Sequence, residues 1–395
     1  MAVAVAELRL AQRMSKLGTE TAFEVLVRAR ALERQGRDII HLEIGEPDFD
    51  TPPNIVDAAV DALHHGHTHY NPAAGVPELR EAIAREVAST RGVHVSPDEV
   101  VVVPGGKPII FFTMLALADP GDEVIFPDPG FPIYQSMIEF VGARAVPLPL
   151  REEREFRPDM SELRSLITGR TRLIIVNSPH NPTGAVMTAS DVRDLAQAIG
   201  DRDITVLSDE IYNHLIFEGH HHSIISRPGF KERTILLDGF SKTYAMTGWR
   251  LGYGVMRPDL AVKIARLATN CHSCTATFSQ MAAIEALQGD QSAVGVMREA
   301  FRERRDFFIE RINRIKGFSC IPPHGAFYAL ANITETGWPS KALADALLED
   351  AGVALLSGTA FGAHGEGYVR LSIANSIEKI AEALDRIDAW TLRNL

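Results

Sequence analysis

With 395 residues the chain is too long for one small hydrophobic core, so two domains, or a large one with a smaller companion, are expected. Its 46% hydrophobic and 23% charged content is that of an ordinary globular protein. A formal net charge of −11 argues against a nucleic-acid partner, because phosphate recognition needs a basic field, yet it leaves any single cleft free to be positive.

The opening "MAVAVAELRLAQRMSK" has no basic segment followed by a sustained apolar core, so no signal peptide is expected. No run approaches the ~18 apolar residues of a membrane span, and no membrane partner is expected. Three cysteines argue against a disulfide framework and for a reducing compartment, with the cytoplasm as the expected location.

In chain order, "AFEVLVRARALERQG" (22–36) reads as a helix followed by a strand, both expected to pack with the smaller domain. From about residue 98 short β-branched runs alternate with helical stretches. "EVVVVPGG" (99–106) reads as a buried strand leading into a helix through "KPIIFFTMLALA". Further strands are expected in 122–129, 143–150, 171–177, 203–210 and 233–240, with helices between several of them, including 190–200. This alternation predicts a mainly parallel sheet covered on both faces. Residues 278–316 carry one long helical pattern, leading to strand-like pieces in 317–333 and 367–374. This last third is expected to form a smaller α+β domain.

The unusual polar residues fall just beyond strands. Gly105 and Gly106 follow the first, Asn181 follows "LIIVN", Asp209 closes "ITVLSDE" and Lys242 follows "TILLDGF". In open parallel sheets ligands collect beyond the carboxyl ends of strands, so one shared site is expected there. The glycine pair can admit an anion beside a helix N-terminus. Pro108 leaves Gly106 and Lys107 as the nearer donors. Alone, "GGKP" reads more readily as a plain β-to-α turn. It lacks the Ser/Thr of a P-loop, and no GxGxxG fingerprint follows a strand.

In "LLDGFSKTYAMTGWRLGYG" (236–254) two cations, Lys242 and Arg250, stand with no carboxylate between them. The arginine fork of Arg250 suits a phosphate dianion, and Ser241 can add a hydroxyl. A desolvated lysine such as Lys242 has a depressed pKa and can form a Schiff base. Pyridoxal 5′-phosphate requires this set together with a carboxylate for its ring nitrogen, and Asp209 fits that place. Tyr212 and Asn181 are within sequence reach of the ring oxygen. The plain alternatives are a surface lysine, an interdomain arginine, a helix-capping Asp209 and an Asn181-Pro182 turn.

These residues identify a resemblance. From about residue 12 to the C-terminus the chain resembles the class I/II pyridoxal-phosphate-dependent aminotransferases of the aspartate aminotransferase-like superfamily. "GFSKTYAMTGWRLG" (239–252) fits that family's lysine-attachment signature. "LEIGEPDFDTP", "HYNPAAGVPELREAIA", "NSPHNPTGAV", "SDEIY", "GAFY" and "GYVRLSIANS" follow in family order. The resemblance implies an α/β fold of PLP fold type I. It would have an N-terminal arm and part of the small domain in 1–48, a large mainly parallel-sheet cofactor domain in 49–290, and a small α+β domain in 291–395.

It further implies that Lys242 is the Schiff-base lysine and acid/base, that Asp209 pairs with the pyridine nitrogen, and that Tyr212 and Asn181 hold the ring oxygen. Gly105, Gly106, Lys107, Ser241 and Arg250 would bind the phosphate. Tyr70 would reach the phosphate of a neighbouring subunit, which implies a homodimer with shared active sites. Arg370 would grip the substrate α-carboxylate with Asn181 and the Gly45 backbone. Phe131 stands where the stacking aromatic is commonly tryptophan, Pro108 where relatives are often polar, and Ser357 where proline is common.

The implied activity is transamination between an L-amino acid and a 2-oxo acid, with 2-oxoglutarate expected as one partner, in a ping-pong cycle through pyridoxamine phosphate. A β-lyase or other carbanion chemistry on the same fold is the alternative. A cofactor-sensing regulator would usually carry a DNA-binding segment ahead of the matched region, and a nicotinamide dehydrogenase lacks its glycine fingerprint here. No metal is expected. "HHGHTHY" (64–70) and "GHHHS" (219–223) read as solvated turns, and "CHSC" (271–274) lacks the second pair of a zinc site. By the family alignment "CHSC" lies near the substrate and is a candidate to line the pocket. A second substrate carboxylate would need another cation; 268–280 has none, and Lys16 or a partner residue are the candidates, with neutral and aromatic donors equally open.

Overall fold

The valine run Val100–Val103 shows how the sequence builds the architecture: all four residues are buried, and alternate side chains enter different cores. Only a strand covered on both faces needs so continuous an apolar run. The computed structural model describes residues 8–395, so the first seven residues of the expected N-terminal arm lie outside the described residues.

The strands are β1 (Ile40–His41), β2 (Val100–Val103), β3 (Glu123–Asp128), β4 (Arg144–Pro149), β5 (Thr171–Asn177), β6 (Thr205–Asp209), β7 (Thr234–Gly239) and β8 (Gly252–Val255). They continue with β9 (Tyr328–Asn332), β10 (Val353–Ala354), β11 (Leu356–Ser357) and β12 (Tyr368–Ser372). The helices are α1 (Thr21–Arg34), α2 (Pro53–His64), α3 (Pro77–Arg91), α4 (Lys107–Leu117), α5 (Ile133–Phe140) and α6 (Met160–Leu166). After them come α7 (Ala189–Ile199), α8 (Pro258–His272), α9 (Thr277–Gln288), α10 (Ser292–Ile312), α11 (Ser340–Ala346) and α12 (Ile377–Asn394).

Seven strands form one sheet in the order β2-β8-β7-β6-β5-β3-β4, in which β8 alone runs antiparallel to its neighbours. On one face Val101, Val103, Leu207 and Leu237 pack with residues of α4, α5 and α8. On the other, Val100, Val102 and Leu236 meet α2, α3 and α9 at one end, while Ile174 and Val206 meet α6 and α7 at the other. Burial of each such aliphatic side chain contributes about 1.5–3 kcal/mol, which fixes the register of the strands and so the position of the turns at their carboxyl ends.

A second core gathers Phe301 and Phe308 of α10, Phe327 just ahead of β9, Leu343 of α11, Val369 of β12 and Trp390 of α12. Its sheet is antiparallel, in the order β11-β12-β9, and β1 pairs in parallel with β10.

Three details depart from the sequence reading. The helical pattern of 278–316 is two helices, broken at Gly289, whose backbone leaves the helical region and ends α9. The strand expected within 317–333 occupies only Tyr328–Asn332. β8 was not expected, because glycines at 252 and 254 erase the apolar alternation. Gly252 is required there: a Cβ would lie 2.7 Å from the Gly106 amide nitrogen.

Candidate active site

The turns beyond the carboxyl ends of β2, β5, β6 and β7 open into one cavity of about 530 Å³. Gly45, Gly106, Lys107, Phe131, Asn181, Asp209, Tyr212, Ser241, Lys242, Arg250 and Arg370 all line it. Of the residues singled out from the sequence, Gly105 lies just behind the wall. Tyr70 lies away from the cavity of its own chain and is 89% exposed.

Lys242 enters from the turn after β7, and its Nζ donates to the Gly45 carbonyl oxygen at 2.6 Å. Desolvation lowers its pKa to about 8; Glu46 and Glu20 oppose the shift, while Lys107 and Arg250 add to it. Asp209, at the last position of β6, is buried and has no cation beside it among the described residues. The Tyr134 hydroxyl donates to its Oδ2 at 2.6 Å, and the Ile211 amide to its Oδ1 at 3.3 Å. Burial raises the carboxyl to about 6, against the pull of those two donors. A carboxylate held this way is stabilised by any cation that arrives next to it.

Asn177, the last residue of β5, ties the neighbouring turn to β6. Its Nδ2 donates to the Asp209 carbonyl at 2.9 Å, and its Oδ1 accepts from the Asn181 amide at 2.9 Å. The side-chain Oδ1 of Asn181 is buried with no hydrogen-bond partner among the described residues. Tyr212 and Tyr328 share a hydroxyl–hydroxyl bond of 2.8 Å, and burial pushes the Tyr212 phenol well above its ordinary range.

At one end of the cavity the amides of Gly106 and Lys107 begin α4, ahead of its first helical bonds, and the helix dipole makes that end positive. Arg250 lies against them, with Nη1 donating to the Thr247 carbonyl at 2.7 Å and no carboxylate paired with it among the described residues. Gly105, at φ +84°, is needed for this approach, because a Cβ would sit 2.1 Å from Arg250 Nη2. The arrangement is a cup for an anion.

Arg370 rises from β12 at the other end, 3% exposed. Its guanidinium lies 4.5 Å from the Tyr328 ring centroid and 5.1 Å from that of Phe361. Nη2 donates to the Glu43 carbonyl, and Nε has no partner among the described residues. Burial lowers its pKa. A buried guanidinium without a carboxylate is poised for one.

Sequence reasoning passed over Tyr134, Asn177, Tyr328 and Glu20. Tyr134 stands three residues after Phe131, Asn177 ends an expected strand, and Tyr328 closes "GAFY", so each had a signal in a stretch already singled out. Glu20 had none. Two readings are corrected. In "GHHHS", expected to be a solvated turn, the His221 side chain is 12% exposed and its Nε2 lies 2.7 Å from Glu210 Oε2. That carboxylate is buried and draws the turn inward as a partner. Residues 271–274 of "CHSC" do not line the cavity; Cys271 is exposed at the end of α8.

The family described as Aminotransferase class I and II matches residues 37–387. The chain is 41% identical over 383 residues to an aspartate aminotransferase of Pyrococcus horikoshii, covering 96% of each sequence. It is 40% identical over 354 residues to aromatic-amino-acid aminotransferase 2 of Thermococcus litoralis, covering 89% of this chain and 91% of that one. The solved structure of aspartate aminotransferase from Thermus thermophilus with maleate superposes with a TM-score of 0.93 at 38% identity, covering 97% of this chain and 100% of the other. A likeness this extensive in sequence, and nearly complete in fold, leaves one conclusion: the chain belongs to the class I and II aminotransferases and is an aminotransferase.

Proposed function

We propose that this enzyme moves an amino group between an L-amino acid and a 2-oxo acid, with 2-oxoglutarate as one partner, using pyridoxal 5′-phosphate held in the cavity at the strand ends. The observation that carries the reading is Asp209, a buried carboxylate with no cation of its own among the described residues, in the same cavity as the amine of Lys242.

The residues present fit the group. The amides of Gly106 and Lys107, the Ser241 hydroxyl and the Arg250 fork suit its phosphate, with Gly105 leaving room for the arginine. Asp209 suits a protonated ring nitrogen, Asn181 and Tyr212 suit the ring oxygen, and Phe131 suits a ring face. When bound, the cofactor supplies an electrophilic carbon for the amino group and a ring that withdraws electrons from the substrate's α-carbon.

The chain's own groups do the rest. Arg370 orients the substrate by its α-carboxylate, assisted by Asn181 and the Gly45 backbone. Lys242, with its pKa lowered to about 8, has a usable fraction of neutral amine near neutral pH to take the α-proton and return it. A positioned base of this kind contributes about 10²–10⁴-fold. The Tyr134 hydroxyl and the sheet hold Asp209 in place, and the phenols of Tyr212 and Tyr328 fix the wall beside it.

The same reading assigns Tyr70, exposed and away from its own cavity, to the phosphate of a second copy, making a homodimer with shared sites. It also divides the chain into 1–48, 49–290 and 291–395, and places the enzyme in the cytoplasm. Among the described residues no helix is long and apolar enough to cross a membrane.

Protein loaded with pyridoxal phosphate, given a panel of L-amino acids and 2-oxoglutarate, is expected to form glutamate and the matching 2-oxo acid. Absence of glutamate with every donor overturns the proposal, and pyruvate with free ammonia in its place indicates β-elimination.

A further inference from the structure

Glu20 stands immediately before α1, and its carboxylate pairs with the ammonium of Lys107, the first residue of α4. Both side chains line the cavity. The same ammonium lies 5.9 Å from the Phe23 ring centroid and 5.8 Å from that of Phe131. One carboxylate and two π faces therefore answer its charge. The Glu20 side chain is 18% exposed, and its field acts on both Arg370 and Lys242. Glu20, Lys242 and Arg370 line one cavity, so a substrate with its carboxylate on Arg370 and its amine at Lys242 shares that space with the Glu20–Lys107 pair.

The charges of this wall decide what the substrate's side chain can be. An acidic donor brings a second carboxylate. Arg370 is taken by the first, Arg250 lies at the anion cup, and Lys107 is already paired. Lys16, a candidate cation from the sequence, does not line the cavity. Phe23 and Phe131 flank the pair, and Ile44, Leu356 and Phe361 also line the cavity.

We propose that Glu20 sets the donor class: by holding Lys107 it leaves the side-chain end of this chain's own cavity without a free cation, and no residue of a second copy supplies one, so the preferred amino donor carries a neutral apolar or aromatic side chain. The proposal rests on the transamination reading. The pair is not sealed, since the Lys107 side chain is 47% exposed. A dicarboxylate can displace Glu20 at a penalty of about tenfold, which leaves 2-oxoglutarate usable as an acceptor.

The test is the ratio of kcat/KM for L-phenylalanine or L-leucine to that for L-aspartate, measured on the pyridoxal-phosphate-loaded enzyme. In a ping-pong cycle this ratio does not depend on the acceptor. The wild type is expected to favour the neutral donors by about tenfold or more, and Glu20→Gln to shift the ratio toward aspartate by about tenfold. Glu20→Asp keeps the charge and is expected to keep the preference. A readout without turnover is calorimetric binding of maleate and of 3-phenylpropionate to the loaded enzyme, where Glu20→Gln is expected to tighten maleate alone. A wild type that prefers aspartate, or a ratio and a maleate affinity that Glu20→Gln leaves unmoved, overturns the assignment of Glu20. Failure of every donor to yield a 2-oxo acid overturns the transamination reading instead.

Discussion

The Tyr134 hydroxyl donates a hydrogen bond of 2.6 Å to Asp209 Oδ2 and is the one side-chain donor to that buried carboxylate among the described residues. Tyr134 is carried by α5, and its ring meets Phe131 edge to face at 5.6 Å. The turn into this helix thus supplies a cavity-lining aromatic, Phe131, and its first turn supplies the support of the carboxylate.

This relationship has a pH signature in the cofactor-free protein. The Asp209 carboxyl is raised by burial to about 6 from an ordinary value of 3.8, so between those limits the folded state holds a proton that the unfolded state has lost. Stability linked to the group is therefore present below pH ~4 and is lost as pH rises through about 6, by about 2–3 kcal/mol. Denaturant unfolding of wild type and Asp209→Asn is expected to diverge by that amount between pH 4 and 7, the asparagine variant being the more stable at pH 7. Tyr134→Phe removes a donor that lowers the pKa, and its transition is expected to extend above pH 6. Parallel pH curves for the wild type and Asp209→Asn would show that the carboxyl is not perturbed.

Lys242 gives the opposite sign. Burial lowers its pKa from 10.5 to about 8, so the unfolded state binds the additional proton between those values. Stability of the cofactor-free protein rises with pH across that window, and the unfolding difference between wild type and Lys242→Met is expected to narrow from pH 8 to 10.5. In the loaded enzyme Lys242→Ala is expected to lose both turnover and the visible absorption of the lysine-linked cofactor. Full activity in that variant would remove Lys242 from its proposed role.

How much of this was legible in the sequence differs between strands and walls. The buried strands announce themselves through continuous β-branched runs, and the polar residues just after them follow from where parallel strands end. That is why Asn181, Asp209 and Lys242 were found together. β8 left no such trace, because the close approach of Gly106 forbids a side chain at Gly252. The Glu20–Lys107 pair joins positions 87 residues apart through the packing of two helix starts, and no local pattern encodes it. His221 was misread for a related reason: a histidine-rich turn looks solvated until the buried Glu210 beneath it is known.

That buried network makes its own prediction. Arg91, at the end of α3, pairs through Nε with Glu210 at 3.0 Å and through Nη2 with Asp238 at 2.8 Å, all three residues being buried. Asn213 and Tyr253 also donate to Asp238, at 2.7 and 3.2 Å. Arg91→Met leaves two carboxylates in the interior without their cation and is expected to cost about 3–5 kcal/mol. A urea midpoint within experimental error of wild type would mean that His221 and the neutral donors suffice.

Gly45 tests the wall beside Lys242. A Cβ at this position would lie 2.0 Å from the Tyr328 hydroxyl oxygen, so Gly45→Ala must move that phenol off its 2.8 Å bond to Tyr212. The Gly45 carbonyl that receives Lys242 Nζ shifts with it. Misplacement on this scale is expected to lower kcat/KM by roughly 10²-fold while the fold persists, checked by circular dichroism beside steady-state kinetics. An alanine variant with wild-type kcat/KM would show that the wall yields without cost.

Arg370 separates charge from geometry. Its guanidinium is wedged between the Tyr328 and Phe361 rings, with Nη2 on the Glu43 carbonyl and Nε free, so its plane is fixed before any substrate arrives. Lysine keeps the charge but has neither the planar fork nor the same stacking on the rings. Losing a buried, hydrogen-bonded partner of a carboxylate costs about 2–5 kcal/mol, so Arg370→Lys is expected to lower kcat/KM for amino acids about 30- to several-thousand-fold. The decisive comparison is an amine that lacks the α-carboxylate. The wild type's advantage for the amino acid over that amine should collapse in Arg370→Lys, because the amine never used the guanidinium. An unchanged ratio would place the α-carboxylate on another group of the cavity.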